Sequence, residues 1–334
     1  MAIKQFLGAF FQSYKNTFGQ KAENAYQEYR AKGGKISKRT LIRDMRMAYA
    51  RQGIVPAHYL QFRFYEKTNR EKAQYMSLKR ERALFMNSPE NHFPKGKYDR
   101  YLLFQPYFRR EITAVFFTGD EQAHYAEFCG RHAEFMVKPI IGTKGHGVEK
   151  LRFAEAPFLK ELEAYSDGGC LLEELICQGE EMARFHPSSI NTVRFVSAMS
   201  PEEKYTALFA LLRTGKGGSV VDNVGSGGLI AQIDIVTGRV VTDGLYGDVY
   251  FAAHPDTGVV FQNAQIPRWE ELCALVHQIH STIPDQCLIG WDFAWTDKHE
   301  WDLVEANPMP SFISYQTLAN RGICPMLREA GLLQ

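Results

Sequence analysis

Two textures of hydrophobic and polar residues divide the chain. Over residues 1 to about 90, Lys, Arg, Gln, Glu, Tyr and Phe dominate, Val and Ile are few, and Phe6, Phe10, Tyr14 and Phe18 recur at the spacing of one helical face. This region is predicted to be largely helical, with the aromatic stripe packed on the helix's own core. A membrane surface or a partner is the other reading of the same stripe. From Phe135 onward, short Val, Ile and Leu runs alternate with glycine-containing turns, as in an antiparallel or mixed sheet. Strands are predicted at 134–137, 147–153, 170–174, 192–199, 205–213, 228–234 and 301–305. Helices are predicted from Thr118 to Cys129, capped by Thr118 or Asp120, and from Trp269 to His280. Gly33-Gly34 and the run from Asn87 to Pro94 are the main punctuation, and the second marks the first domain boundary.

Composition narrows the class. With 334 residues, 45% hydrophobic and 23% charged, the chain matches soluble globular proteins and excludes a disordered segment, a collagen-like fibre or a disulfide miniprotein. That length exceeds what a single core usually serves, so two or three packed subdomains are expected. Lys and Arg number 39 against 38 Asp and Glu, a net charge of +1 that supplies no global field for nucleic acid or acidic membranes; any basic site has to be local. Six cysteines without a CxxC pair signal neither a zinc site nor a disulfide framework, and are expected to be reduced and mostly buried. No apolar run approaches the roughly 20 residues of a membrane helix, and the N-terminus lacks the pattern of a secretory signal. A cytoplasmic protein is the expectation.

Three segments carry candidate chemistry. In Gly290-Trp-Asp-Phe-Ala-Trp-Thr-Asp-Lys-His-Glu-Trp-Asp-Leu-Val-Glu-Ala-Asn-Pro308, Asp292 is read as ending one strand. A polar hairpin turn follows and Leu303-Val304-Glu305 returns beside it, so that Asp292, Glu305 and Asn307 can converge. Two carboxylates and an amide oxygen suit a hard cation such as Mg²⁺, although an ordinary polar hairpin has the same appearance. Phe135-Met-Val-Lys-Pro-Ile-Ile-Gly-Thr-Lys-Gly-His-Gly147 reads as a strand ending in Lys138, then a loop whose glycines let backbone N–H groups cradle phosphate; it fits neither the Walker spacing nor GxGxxG. Cys170-Leu-Leu-Glu-Glu-Leu-Ile-Cys-Gln-Gly-Glu-Glu181 reads as an apolar strand running into an acidic turn, where a backbone edge could pair with adenine and a carboxylate could hold ribose hydroxyls.

In this order, glycine loop, apolar strand and metal hairpin resemble the ATP-grasp superfamily over about residues 95 to 315. The resemblance implies an α+β ATP-grasp fold with a helical N-terminal region (1–94), a lid subdomain (95–178) and a core subdomain carrying the metal site (179–334). It implies that Asp292, Glu305 and Asn307 hold magnesium, and that Lys138 and Lys97 contact ATP phosphates, with Lys95 competing for the second role. It further implies that the loop containing Gly145 and Gly147 closes over the phosphates, that Glu173 and Ile176 form the adenine hinge, and that Glu181 or Glu180 holds ribose. Ser189-Ile-Asn-Thr-Val-Arg-Phe-Val196, Ala210-Leu-Leu-Arg213 and Asp222-Asn-Val-Gly-Ser-Gly-Gly228 are similar to runs in glutathione synthetase-like and glutamate-ligase-like members. Arg194 and Arg213 would then face the transferring phosphoryl group or a substrate carboxylate, with Asn223 and Gly227-Gly228 on the acceptor side. Asp222-Asn-Val-Gly-Ser-Gly-Gly, Asp234-Ile-Val-Thr-Gly, His254-Pro-Asp-Thr-Gly, Ile266-Pro-Arg-Trp and Ile289-Gly-Trp-Asp-Phe-Ala look like the sugar-transfer associated branch.

The implied activity is an ATP- and Mg²⁺-dependent carboxylate–amine ligase working through an acyl phosphate on small-molecule substrates such as an amino acid or amino sugar. A phosphotransferase acting on a hydroxyl and a non-catalytic ATP sensor are the alternatives. Residues 1 to 90 depart from the alternating strand and helix pattern of the usual N-terminal domain in these ligases, so substrates do not transfer by analogy. His146 and His186 are read as loop histidines that contact phosphate or solvent rather than as acid or base.

Overall fold

The computed structural model describes residues 2–86, 93–94, 96–117, 122–141, 147–153, 162, 165, 168–218 and 227–333, with side chains from residue 17 onward except those of 86 and 122–124. The chain forms two compact units, residues 1–89 with 311–334 and residues 90–310.

The first unit is helical: α1 (Ala2–Ala31), α2 (Lys38–Gln52), α3 (Pro56–Gln61), α4 (Asn69–Lys72) and α5 (Leu78–Met86), with α10 (Ile313–Leu318) and α11 (Cys324–Glu329) from the C-terminus. Helix α2 shows why these segments fold locally. The Ser37 hydroxyl accepts from the Thr40 N–H at its start, and Gly53, at φ 74°, donates to Ala48 and Tyr49 at its end in a conformation that suits glycine. Leu41, Met45 and Ala48, at i, i+4 and i+7, face a core with Ala22, Ala25, Tyr59, Phe62 and Phe64. Phe18 packs there too, its ring 5.1 Å from Tyr49. Phe6, Phe10 and Tyr14 lie outside the described side chains.

The sequence reading carries the core subdomain to residue 334; the chain instead returns 311–334 to the helical unit. Gln316, fully buried, accepts from the Met76 N–H (2.8 Å) and donates to the Met76 carbonyl (2.9 Å). Gly322 passes so close that a Cβ would stand 2.1 Å from the Gln74 carbonyl oxygen. Such contacts are long-range and leave no local signature.

The second unit contains α6 (Lys97–Phe104), β1 (Ile112–Val115), α7 (Gln122–Arg131), β2 (Glu134–Pro139), β3 (Glu149–Arg152), β4 (Cys170–Glu174), α8 (Glu180–Ala183), β5 (Thr192–Met199), β6 (Tyr205–Thr214), β7 (Leu229–Ile233), β8 (Gly244–Tyr246), β9 (Val249–Phe251), α9 (Trp269–Ser281), β10 (Leu288–Trp295) and β11 (Trp301–Asn307). A four-stranded sheet runs β1-β4-β2-β3 and a seven-stranded sheet β11-β10-β5-β6-β7-β8-β9. Their pairings are antiparallel. Each predicted strand appears within two residues of its expected ends. The predicted helix starting at Trp269 runs one residue further, to Ser281. The predicted helix from Thr118 is seen as α7, two residues longer at its end, with its proposed caps outside the described residues. Strands β1, β8 and β9, at four, three and three residues, are too short to show a period of two.

Alternation divides the large sheet. Val193, Phe195, Leu212, Trp291 and Phe293 point to a core closed by Leu272, Val276 and Ile279 of α9. A fully buried aromatic or aliphatic side chain of this kind stabilises by about 1.5–3 kcal/mol. The opposite face of the same strands holds the charged residues.

Candidate active site

Register brings the candidates to that face. In the β10–β11 ladder Asp292 stands opposite Glu305 and Gly290 opposite Asn307, so the three polar groups share one side. On the other flank Asp292 stands opposite Arg194 of β5, and Thr192, two residues back, stands opposite Arg213 of β6. Period-two geometry puts all five side chains on one patch. Asp292 does not end its strand, as the sequence suggests: β10 continues to Trp295, and the register shifts between Asp292 and Phe293. Such an irregularity re-aims side chains.

Asp292 is only 4% exposed and is gripped by both arginines. Arg194 donates through Nε to Oδ1 and through a terminal nitrogen to Oδ2 (2.6 Å), while Arg213 donates to Oδ2 at 3.1 Å. Asn307 Nδ2 lies 3.4 Å from the same oxygen. Burial pushes the Asp292 carboxyl up, but the two guanidinium groups outweigh it and hold the carboxyl below its ordinary range. Gly290 keeps this arrangement open: a Cβ there would stand 2.7 Å from Pro310 Cβ and 3.2 Å from Arg194 Cδ. Glu305 is half-buried, and its carboxylate makes no hydrogen bond or ion pair among the described residues.

Lys138 belongs to β2 of the small sheet, and Lys97 packs beside it. Lys97 begins α6 and donates from Nζ to the Pro139 carbonyl at 2.9 Å. Burial lowers its pKa, Lys138 and Arg100 add to that, and Glu305 acts in the opposite sense, which places Lys97 within electrostatic reach of the hairpin. Lys138 donates to Glu173 Oε2 at 2.7 Å.

Glu173 does not serve as a hinge. It pairs with Ile112 on one side and Met136 on the other, so its backbone is enclosed by neighbouring strands. Its carboxylate joins a buried network: Arg110 donates to Glu173 (2.7 Å) and to Asp302 (2.7 Å), linking the small sheet to β11. Burial would raise the Glu173 carboxyl, yet Lys138 and Arg110 hold it down to about 2. Asp302, with the single cation, is raised by its burial. Ile176 lies two residues past the end of β4.

The structure places Glu181 elsewhere. It sits in the first turn of α8 and accepts from the Trp295 indole at 3.0 Å. It lines an open pocket with Arg184, Gln265, Arg268 and His299, and Trp295 belongs to the core face of the sheet. The carboxylate is thus directed away from the Asp292 side. Glu180, in the same turn, is exposed. His186 is closed off from solvent: it is 2% exposed, between Ser189 Oγ (2.8 Å) and the Gly217 carbonyl (3.0 Å). Gly147, at φ 72°, accepts from the Tyr165 hydroxyl at 2.9 Å through its carbonyl. Lys95, Gly145, His146 and Asn223 lie outside the described residues. Three cysteines are buried and Cys177 is exposed, all without disulfides.

Sequence reasoning missed Arg110, Asp302 and Arg100. Arg110 sits in an Arg-Arg pair before a four-residue strand and Asp302 reads as an ordinary hairpin residue, so neither has a spacing signal. Arg100 follows Lys97 by one helical turn and reaches the Ala306 carbonyl at 3.4 Å.

Among the described residues no group of three His, Cys, Asp or Glu stands close enough to hold a metal by itself. The donors here are two carboxylates and an amide, hard oxygen ligands of the kind Mg²⁺ takes alongside water and phosphate. The unpartnered Glu305 fits that use, and Asp292 would share the ion with its arginines.

No curated protein matches the chain. Among solved structures, N5-carboxyaminoimidazole synthetase from Staphylococcus aureus complexed with ADP matches with a TM-score of 0.47 and 10% identity, covering 72% of this chain and 52% of that one. The D-alanine-D-alanine ligase from Coxiella burnetii matches with a TM-score of 0.42 and 11% identity, covering 71% and 56%. The chain thus spans about half the length of these structures. A family model described as sugar-transfer associated ATP-grasp matches residues 110–331, more than half of the chain and all of the strands described above. The chain belongs to the sugar-transfer associated ATP-grasp family, and its α+β fold is an ATP-grasp fold with a helical N-terminal region.

Proposed function

We propose that the protein is an ATP-dependent carboxylate–amine ligase acting on small molecules in polysaccharide or sugar modification, in the cytoplasm. The observation behind this reading is the single patch on which Asp292, Glu305, Asn307, Arg194 and Arg213 share one face of the sheet, with Lys97 in electrostatic reach. Bound Mg²⁺ would be held by Asp292, Glu305 and Asn307 and would supply charge neutralisation for the triphosphate. Lys97 and Lys138 would bind phosphate oxygens. Lys138 already rests on Glu173 at 2.7 Å, which fixes where its charge is presented. The loop containing Gly145 and Gly147 would cover the phosphates, Ile176 would meet adenine, and Asn223 would line the acceptor side. Glu181 faces another pocket and is withdrawn from the ribose role.

Arg194 and Arg213 would orient a donor carboxylate and stabilise charge on the transferring group. A carboxylate oxygen bonds to the γ-phosphorus as its bond to the β-bridging oxygen breaks, giving an acyl phosphate and ADP. A neutral amine then adds to the carbonyl carbon, phosphate leaves, and the amine's surplus proton passes to solvent. Excluding water is essential, because hydrolysis of the acyl phosphate is the competing outcome.

The test follows ADP, phosphate and product mass with ATP, Mg²⁺ and a panel of amino acids and amino sugars. Turnover requiring one acid and one amine, with a product mass equal to their condensation, supports the ligase. Phosphate retained on a single hydroxyl acceptor replaces it with a phosphotransferase, and ATP binding without turnover replaces it with a sensor.

A further inference from the structure

The near-neutral charge of the whole chain conceals a segregation. Residues 1–89 and 311–334 hold 20 Lys and Arg against 7 Asp and Glu, a net +13, whereas residues 90–310 hold 19 against 31, a net −12. Part of the excess lies on α2, Lys38-Arg-Thr-Leu-Ile-Arg-Asp-Met-Arg-Met-Ala-Tyr-Ala-Arg-Gln52, with five cations and one acid. That acid, Asp44, is already engaged by Lys72 Nζ (2.5 Å) and the Tyr59 hydroxyl (2.5 Å). Arg39, Arg43 and Arg46 follow one another at i, i+4 and i+7, are exposed, and have no acidic partner among the described residues. With Lys38 and Ile42 they line an open groove. Like charges at this spacing repel and destabilise the helix, so an anion held across them would relieve a standing cost.

We propose that this face of α2 docks the helical unit on an anionic lipid bilayer. A bilayer takes apolar groups as well as charge, and both are present. Met47, next to Arg46, is 43% exposed. Residues 2–22, within α1, contain Lys4, Lys15 and Lys21 and no acid, with Ile3, Phe6, Leu7, Phe10 and Tyr14 at helical spacing in the sequence. A basic, amphipathic helix of this composition suits the interface between headgroups and acyl chains, whereas nucleic acid has use only for the charge. An anionic surface attracts the unit of +13 and repels the unit of −12, so the helical unit is the one that docks. Each cation held near such a surface strengthens binding roughly fivefold, and three together roughly a hundredfold. The surface belongs to the helical unit and is independent of the nucleotide reading.

The test is co-sedimentation of the full-length protein with vesicles of phosphatidylglycerol and phosphatidylcholine, against vesicles of phosphatidylcholine alone. Binding confined to the anionic vesicles, falling with salt, and weakened roughly a hundredfold or more by R39E/R43E/R46E is expected. R39K/R43K/R46K should retain it, because a bilayer field reads charge rather than the guanidinium fork. If the reversed-charge variant loses helix content, the salt series and the lysine variant still decide. Equal binding to neutral vesicles, anionic binding that survives charge reversal in a folded variant, or retention by RNA or polyphosphate with vesicles ignored overturns the proposal.

Discussion

Glu81 in the helical unit and Glu173 in the ATP-grasp unit are both 4% exposed, and their surroundings treat them in opposite ways. Burial pushes the Glu81 carboxyl up to about 7, because only backbone N–H groups of Phe312 and Ser311 oppose it. Glu173 faces Lys138 and Arg110, which outweigh a comparable burial and bring it to about 2. The same contrast runs through the two units. The helical unit leaves Arg39, Arg43 and Arg46 outside, with Lys72 as its buried cation, whereas the ATP-grasp unit turns Arg110, Lys138 and Arg213 inward onto carboxylates. Inward cations organise a site; outward cations organise a surface.

The contrast can be broken or sharpened by substitution, beginning where the effect is largest. Glu305→Ala should lower ATP turnover roughly a thousandfold while leaving the melting temperature close to that of the parent, since the carboxylate has no hydrogen bond or ion pair to lose among the described residues. A variant turning over normally would remove Glu305 from the site. Arg110→Met should cost about 3–5 kcal/mol in denaturant unfolding, because it strands Glu173 and Asp302 as buried carboxylates. A cost below about 1 kcal/mol would show that the network is solvated.

The two glutamates should give opposite pH signatures. Glu173 has a depressed folded pKa, so its contribution is present above its ordinary 4.5 and is lost as pH falls toward about 2. For Glu81 the folded pKa is raised, so the favourable contribution is complete below 4.5 and disappears as pH rises through about 7. Glu81→Gln should therefore stabilise the helical unit by at most about 3 kcal/mol at pH 8 and by little at pH 4, read by amide exchange in α5. The reverse pH dependence would refute the assignment. The smallest effect is Ser37→Ala, which removes the cap of α2 and should cost about 1 kcal/mol in thermal unfolding.

The strands and the metal hairpin were legible in the sequence because period-two alternation and the Asp292–Glu305 spacing are local. Their partners were not. Arg110 meets Glu173 across 63 positions and Asp302 across 192, and no windowed pattern reaches that far. Glu173 was misread because its sequence position, near the end of an apolar strand, does not say that strands lie on both of its sides. Glu181 was misread for a related reason: the core-facing Trp295, whose indole draws it away, lies 114 residues on. The charge segregation was present in the composition from the outset. Residues 1–89 alone hold 18 Lys and Arg against 6 Asp and Glu, and residues 311–334 add one net positive charge; the whole-chain balance of +1 hides this.

The ligase reading rests on whether a carboxylate oxygen is transferred to phosphate, and donors labelled with oxygen-18 in the carboxylate measure that transfer. With ATP, Mg²⁺ and an amine, one labelled oxygen should appear in released phosphate and the other in the amide, and neither should appear with Glu305→Ala. Unlabelled phosphate from every donor tested, with ATP still consumed by the parent protein, would contradict an acyl-phosphate ligase.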